Sequence, residues 1–168
     1  MNKQSVIIFR GIPRSGKTSL AKKLFENLKE KGFILLQYDE IFKIKKVFEK
    51  KKMRFSIFYN ITKELIKEGY SLILDYSFTS KKEISKVIKF LKRRKIFFRI
   101  YLLNPPFEII LERDKNFLEP KGKEKLFKFY NKLMKNFEPY SLVLDTGKLK
   151  EEETLNIIME DLKKNDLL

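Results

Sequence analysis

The sequence contains no cysteine and no histidine. The first absence excludes disulfides, thiolate nucleophiles and cysteine-based metal sites, and the second excludes an imidazole base and histidine-ligated zinc. Any general base must therefore be a carboxylate, or failing that a lysine or tyrosine. No apolar run approaches the roughly eighteen residues needed to cross a bilayer. The start, MNKQSVIIFRG, lacks the long apolar segment and small-residue cleavage site of a signal peptide. These absences lead to the expectation of a cytoplasmic protein without a membrane partner.

Alanine occurs once, at Ala21, and glutamine twice. What is abundant is lysine: 38 Lys and Arg face 22 Asp and Glu, a formal charge of +16. Two readings of that charge stand side by side. Such a field attracts polyanions, with nucleic acid foremost. Alternatively, a Lys- and Ile-rich composition poor in labile residues is what a low-GC or heat-loving organism produces. The 168 residues correspond by size to one domain, 1–168, able to bury roughly 70% of its unfolded surface. No repeat and no low-complexity tract interrupts it.

Apolar strands alternate with helical patterns along the whole chain. Strands are expected at 5–10 (SVIIFR), 33–38 (FILLQY), 71–76 (SLILDY), 96–103 (IFFRIYLL) and 141–146 (SLVLDT). Helices are expected at 16–31, 55–69, 80–94, 105–114, 124–137 and 151–164, from apolar residues at three- and four-residue steps. Gly32 and Gly69 stand at the stop positions, and Ser80 with Glu83 reads as a reciprocal N-terminal cap. Strict alternation with continuous apolar strands predicts a three-layer α/β fold, a five-stranded parallel sheet covered on both faces.

Between the first strand and the first helix lies Gly11-Ile12-Pro13-Arg14-Ser15-Gly16-Lys17-Thr18, followed by Ser19. This fits G-x-x-x-x-G-K-[ST] in full and in the right context. Glycines let successive amides point inward around a β-phosphate, and the helix N-terminus adds its dipole. Lys17 would reach the β- and γ-phosphates and Thr18 would ligate Mg²⁺. A nucleoside triphosphate, ATP, is the expected cofactor, bound by residues 11–19.

In an open parallel sheet, ligands collect at the carboxyl ends of the strands. Asp39, Asp75, Asn104 and Asp145 stand there, including three of the six aspartates. Asp75 has the strand-then-carboxylate form of a second magnesium acid. Asp39 would take a proton from an acceptor hydroxyl, or else cap the next helix. Asp145 reads as a shaper of its own loop. Arg113 ends a helix before a polar connection, a natural lid (about 113–124) that would bring positive charge to a transferring phosphoryl. Lys115 and Lys121 share that neighbourhood, and Arg14 would either touch phosphate or lie exposed.

GIPRSGKTSLAKKL, YDEI, GYSLILDYSF, ERDKN and LVLDTG together resemble the small P-loop kinases, in the branch of polynucleotide 5′-kinases, chloramphenicol phosphotransferase and zeta-toxin-type kinases. The resemblance implies a P-loop kinase fold with a short helical lid. It implies Asp39 as general base, Asp75 as the acid of the third-strand motif and Arg113 as the lid arginine. Two features depart from the branch: a second lid arginine is replaced by lysine or absent, and Ile41, Phe42 and Lys43 follow Asp39 where polynucleotide kinases often carry an arginine. The segment 43–59 mixes many cations with Phe48, Phe55, Phe58 and Tyr59, so phosphates and stacked bases could both be served, or the aromatics belong to the core.

The leading expectation is an ATP- and Mg²⁺-dependent transferase acting on an RNA or DNA 5′-hydroxyl. A nucleoside, nucleotide or other small alcohol is the alternative acceptor, and a non-catalytic nucleotide- or RNA-binding module the alternative class. A GTPase switch is excluded by Asp75-Tyr76-Ser77-Phe78 and by the lack of an N-K-x-D motif. A motor would need a further domain, for which the length leaves no room.

Overall fold

The computed structural model describes residues 4–43, 51–113, 120–135 and 141–168. Five strands form: β1 (Ser5–Arg10), β2 (Phe33–Gln37), β3 (Ser71–Asp75), β4 (Phe97–Leu103) and β5 (Ser141–Leu144). The helices are α1 (Lys17–Leu28), α2 (Tyr38–Ile41), α3 (Lys51–Lys67), α4 (Lys81–Arg93), α5 (Phe107–Arg113), α6 (Pro120–Lys135) and α7 (Glu151–Lys164). All strand pairs are parallel, in the order β2-β3-β1-β4-β5. Every carboxyl end therefore lies along one edge of the sheet, with that of β1 at its centre. The three-layer α/β expectation holds.

Side chains on a strand alternate between faces, so β1 is buried on both sides. Val6 and Ile8 pack with Phe58 of α3 and Ile84, Val87 and Leu91 of α4. Ile7 and Phe9 pack with Leu20 and Leu24 of α1 and Ile158 and Leu162 of α7. Leu102 joins Ile110 of α5, Leu126 and Leu133 of α6, and Ile12. Because Tyr101 and Leu103 belong to the α1–α7 side, Leu102 puts α5 and α6 on the same face as α3 and α4. Full burial of each such side chain contributes about 1.5–3 kcal/mol, so the three clusters hold the layers together. Asp161 of α7 accepts two bonds from the Arg99 guanidinium, at 2.9 and 2.7 Å, and one from the Tyr101 hydroxyl at 2.7 Å, tying β4 to that helix.

Several boundaries differ from the sequence expectation. The first helix stops at Leu28 and tightens into a 3₁₀ turn over Lys29–Lys31, where Gly32 at φ 80° reverses the chain. Helix α6 is already formed at Pro120, ahead of the expected start at 124, and proline is tolerated in a first turn because it has no N–H to lose there. Residues 114–119 of the expected lid, Lys115 among them, lie outside the described residues, as does the side chain of Lys121. Ser80 is the N-cap of α4, but its side chain makes no cap bond. The Glu83 carboxylate is instead engaged by the Tyr76 hydroxyl at 3.0 Å, so a tertiary partner has displaced the local one. Among the described residues no helix is long and apolar enough to cross a membrane.

Candidate active site

The loop from β1 to α1 wraps at the centre of the sheet edge. Gly11 has φ 149°, and a Cβ there would stand 2.6 Å from Ser15 Oγ and 2.7 Å from the Leu103 carbonyl oxygen. Only glycine lets the loop close this tightly. Gly16, at φ 93°, is the N-cap of α1, and its requirement is conformational because nothing lies within 4 Å of its added Cβ. The first i−4 bond runs from Leu20 N–H to Gly16 O at 3.1 Å, so the amides of Lys17, Thr18 and Ser19 form the open end of the helix. Two loop residues turn inward: Ile12 joins the α5–α6 core, and Ser15 is fully buried beneath Gly11. Pro13, Arg14, Gly16, Lys17, Thr18 and Ser19 line a cavity of about 690 Å³.

Lys17 folds back onto its own loop and donates to the Ile12 carbonyl at 3.0 Å. Burial pushes its ammonium below the ordinary value, against the pull of the Asp75 and Asp39 carboxylates. Asp75, the last residue of β3 and buried, accepts from the Thr18 hydroxyl at 2.8 Å and from the Gln37 amide at 3.2 Å. A hydroxyl and a carboxylate meeting from opposite elements beside the glycine-rich loop are hard oxygen donors of the kind Mg²⁺ takes, so these residues fit that ion. Among the described residues no group of three or more Asp or Glu gathers as an all-protein metal cage. Mg²⁺ commonly takes one or two carboxylates and fills the rest with water and phosphate, so a single pair suffices.

Asp39 stands exposed in the first turn of α2, on the wall of the same cavity. The N-cap of that helix is Gln37, so the capping alternative for Asp39 does not apply. Tyr38, Tyr76, Ser77 and Arg54 complete the wall. Tyr38 and Tyr76 stack at 4.2 Å between ring centres. Burial and the neighbouring Glu83 carboxylate push the Tyr76 phenol upward, so it stays protonated and serves as a donor, not a base.

A second cavity, of about 570 Å³, opens on the other side of the loop between Arg14, Arg113 and the stretch Thr146–Glu151. Arg113 donates to the Arg14 carbonyl at 3.2 Å and the Thr146 carbonyl at 2.5 Å, and Thr146 Oγ1 donates to the Ser15 carbonyl at 2.8 Å. Arg113 thus joins the loop to the end of β5. Asp145 Oδ1 accepts the Gly147 N–H at 2.9 Å, which is the loop-shaping role expected of it. The Ser19 hydroxyl donates to Glu151 at the start of α7, and Lys23 pairs with the same carboxylate at 3.0 Å.

The fold brings together Lys17, Thr18, Asp39 and Asp75 around one cavity and places Arg113 at the other. Of the two readings open for the aromatics of 43–59, the core reading holds. Phe55, Phe58 and Tyr59 are buried in the core beneath the cavity, and so do not present faces for stacked bases. Phe48 lies outside the described residues. Sequence reasoning missed Gln37, Arg54, Tyr38, Tyr76 and Thr146 as site residues. Gln37 did carry a signal, as a polar residue ending an otherwise apolar strand.

A glycine-rich loop at the centre of a parallel sheet, with a hydroxyl–carboxylate pair beside it, defines the P-loop class of α/β proteins, and the fold is that of the P-loop kinases. Residues 6–128 match the model of the AAA_33 family, an AAA domain, and the chain belongs to that family. No curated protein matches the chain in sequence. Among solved structures it is similar to the tunicamycin resistance protein of Deinococcus radiodurans (TM-score 0.71, 20% identity, 95% of this chain and 96% of that one). It is also similar to the YorR protein of Bacillus subtilis, solved in complex with phosphorylated GDP (0.66, 17%, 96% and 98%). A third is the APS kinase CysC of Mycobacterium tuberculosis (0.64, 14%, 97% and 99%). At these identities the likeness is one of fold.

Proposed function

We propose that this protein is an ATP-dependent phosphotransferase that moves the γ-phosphoryl group to an acceptor hydroxyl, the 5′-hydroxyl of a polynucleotide. The observation that carries the reading is the single cavity in which the loop, the Thr18–Asp75 pair and the carboxylate of Asp39 all meet. The loop amides and Lys17 hold the triphosphate, and Lys17 exchanges its bond to the Ile12 carbonyl for phosphate oxygens. Thr18 and Asp75 would hold Mg²⁺, which when bound neutralises charge on the β- and γ-phosphates. Asp39 takes the proton of the acceptor hydroxyl as that oxygen bonds to the γ-phosphorus and the bond from that phosphorus to the β–γ bridging oxygen breaks, so that ADP leaves; such proton transfer is worth about 10²–10⁴ in rate. Arg113, on the wall of the second cavity beside Arg14, would bring positive charge to the bound triphosphate. The second cavity, beside Thr146 and Gly147, takes the nucleoside end of ATP.

The test is transfer of labelled γ-phosphate from ATP, with magnesium, across 5′-hydroxyl RNA and DNA oligonucleotides, nucleosides, nucleotides and small alcohols. The expected result is label on oligonucleotides, reduced 10²–10⁴-fold by Asp39→Asn with ATP binding retained. Label on small acceptors alone would move the function to a small-molecule kinase. Absence of label on every acceptor would overturn the reading in favour of a binding module.

A further inference from the structure

Charge is divided unevenly between the two faces of the sheet. On one face, the described side chains of α3 and α4 carry nine Lys and Arg against two Glu. On the other, α1 and α7 carry five Lys against six acids. Helix α6, on the α3–α4 side, adds five described lysines against one glutamate. A general lysine excess would load every helix alike, whereas here the load falls on one face.

Within α4 the side chains of Lys82, Lys86, Lys89 and Arg93 are all exposed and follow one another at helical spacing. At 1.5 Å per residue they form a row about 16 Å long. Helix α3 brings Lys63 alongside it. The Nζ atoms of Lys63 and Lys86 stand 5.2 and 4.4 Å from the centre of the same Tyr59 ring. The ring face attracts each cation, but the cations repel one another, so folding stability does not account for the row. The same two helices reach the cavity: Arg54 of α3 is on its wall, and Glu83 of α4 holds the wall residue Tyr76.

We infer that the α3–α4 face is the docking surface for a single nucleic-acid strand, whose phosphates run along Lys82, Lys86, Lys89, Arg93 and Lys63 while its 5′ end enters the cavity beside Arg54. The inference rests on the acceptor reading above and specifies how that acceptor is held. Since Phe55, Phe58 and Tyr59 are buried, the strand is held by its backbone and with little regard to sequence.

The test compares two quadruple variants with the same change in net charge. One is Lys82→Gln/Lys86→Gln/Lys89→Gln/Arg93→Gln; the other, on the α1–α7 side, is Lys22→Gln/Lys31→Gln/Lys163→Gln/Lys164→Gln. Binding of a 5′-hydroxyl oligonucleotide is read by fluorescence anisotropy between 50 and 300 mM salt. The α4 variant is expected to bind about 100-fold more weakly at 0.1 M salt, with its salt slope reduced by about 3, and the control to change less than about 3-fold. Equal weakening of both variants, or wild-type binding by the α4 variant, would overturn the inference. Loss of binding to phosphatidylserine vesicles with oligonucleotide binding intact would overturn it too, assigning the face to a membrane. If the quadruple variant does not fold, Lys86→Gln/Arg93→Gln should give about half the change in slope. Binding that depends on the row, in a protein that transfers nothing to the oligonucleotide, would support the surface while removing the acceptor reading, so the two fail separately.

Discussion

Lys17 holds a buried positive charge that donates to a carbonyl of its own loop. Burial depresses its pKa from 10.5, so above the depressed value and up to 10.5 the unfolded chain binds more protons than the folded one. Stability should therefore rise with pH across that window. Lys17→Met should abolish ATP binding, flatten this pH dependence and leave the melting temperature unchanged or higher by about 2–4 °C per kcal/mol of relieved desolvation. Calorimetry as a function of pH checks all three, and a large fall in stability would show that Lys17 holds the loop together. That Lys17, Thr18 and Asp75 gather at one cavity was legible because motif spacing and strand position constrain them together. The part of Gln37 was not, because its amide matters only through the distance to Asp75 across the β2–β3 pair.

At the scale of elements, the aromatic residues of α3 form a platform under the cavity. Phe58 lies 5.7 Å from Tyr38 and 5.6 Å from Tyr76, ring centre to ring centre, and is fully buried. Phe58→Ala is expected to cost about 3–5 kcal/mol in chemical denaturation while leaving the salt slope of oligonucleotide binding unaltered. A stability change under 1 kcal/mol would contradict its place in the core. In the sequence these aromatics read equally as core or as a stacking surface, because helical spacing marks a common face without saying what that face meets. Glu83 teaches the same lesson: a local capping pattern was present, and a tyrosine from the end of β3 took the carboxylate instead.

For the whole molecule, ATP and magnesium should bridge elements that are distant along the chain: the loop after β1, the ends of β2 and β3, and Arg113 and Thr146 after α5 and β5. Ligand at about 100 times Kd contributes about 2.7 kcal/mol, which for a protein of this size is about 5–11 °C in melting temperature. Thermal shift assays should show that rise in the wild type and lose it in Lys17→Met. A shift surviving in the variant would place ATP elsewhere.

The sequence by itself determined the alternation of strands and helices, the parallel sheet, the glycine-rich loop after β1 and the acids at or near the strand ends. Each of these depends on local spacing or on the identity of neighbouring residues. Tertiary structure decided that Asp39 and the Thr18–Asp75 pair share one cavity while Arg113 borders another. It also decided that the aromatics of α3 are core, and that the lysines gather on one face. Those facts depend on strand order and on which face each helix covers, and strand order follows from burial summed over the whole sheet rather than from any single stretch of chain.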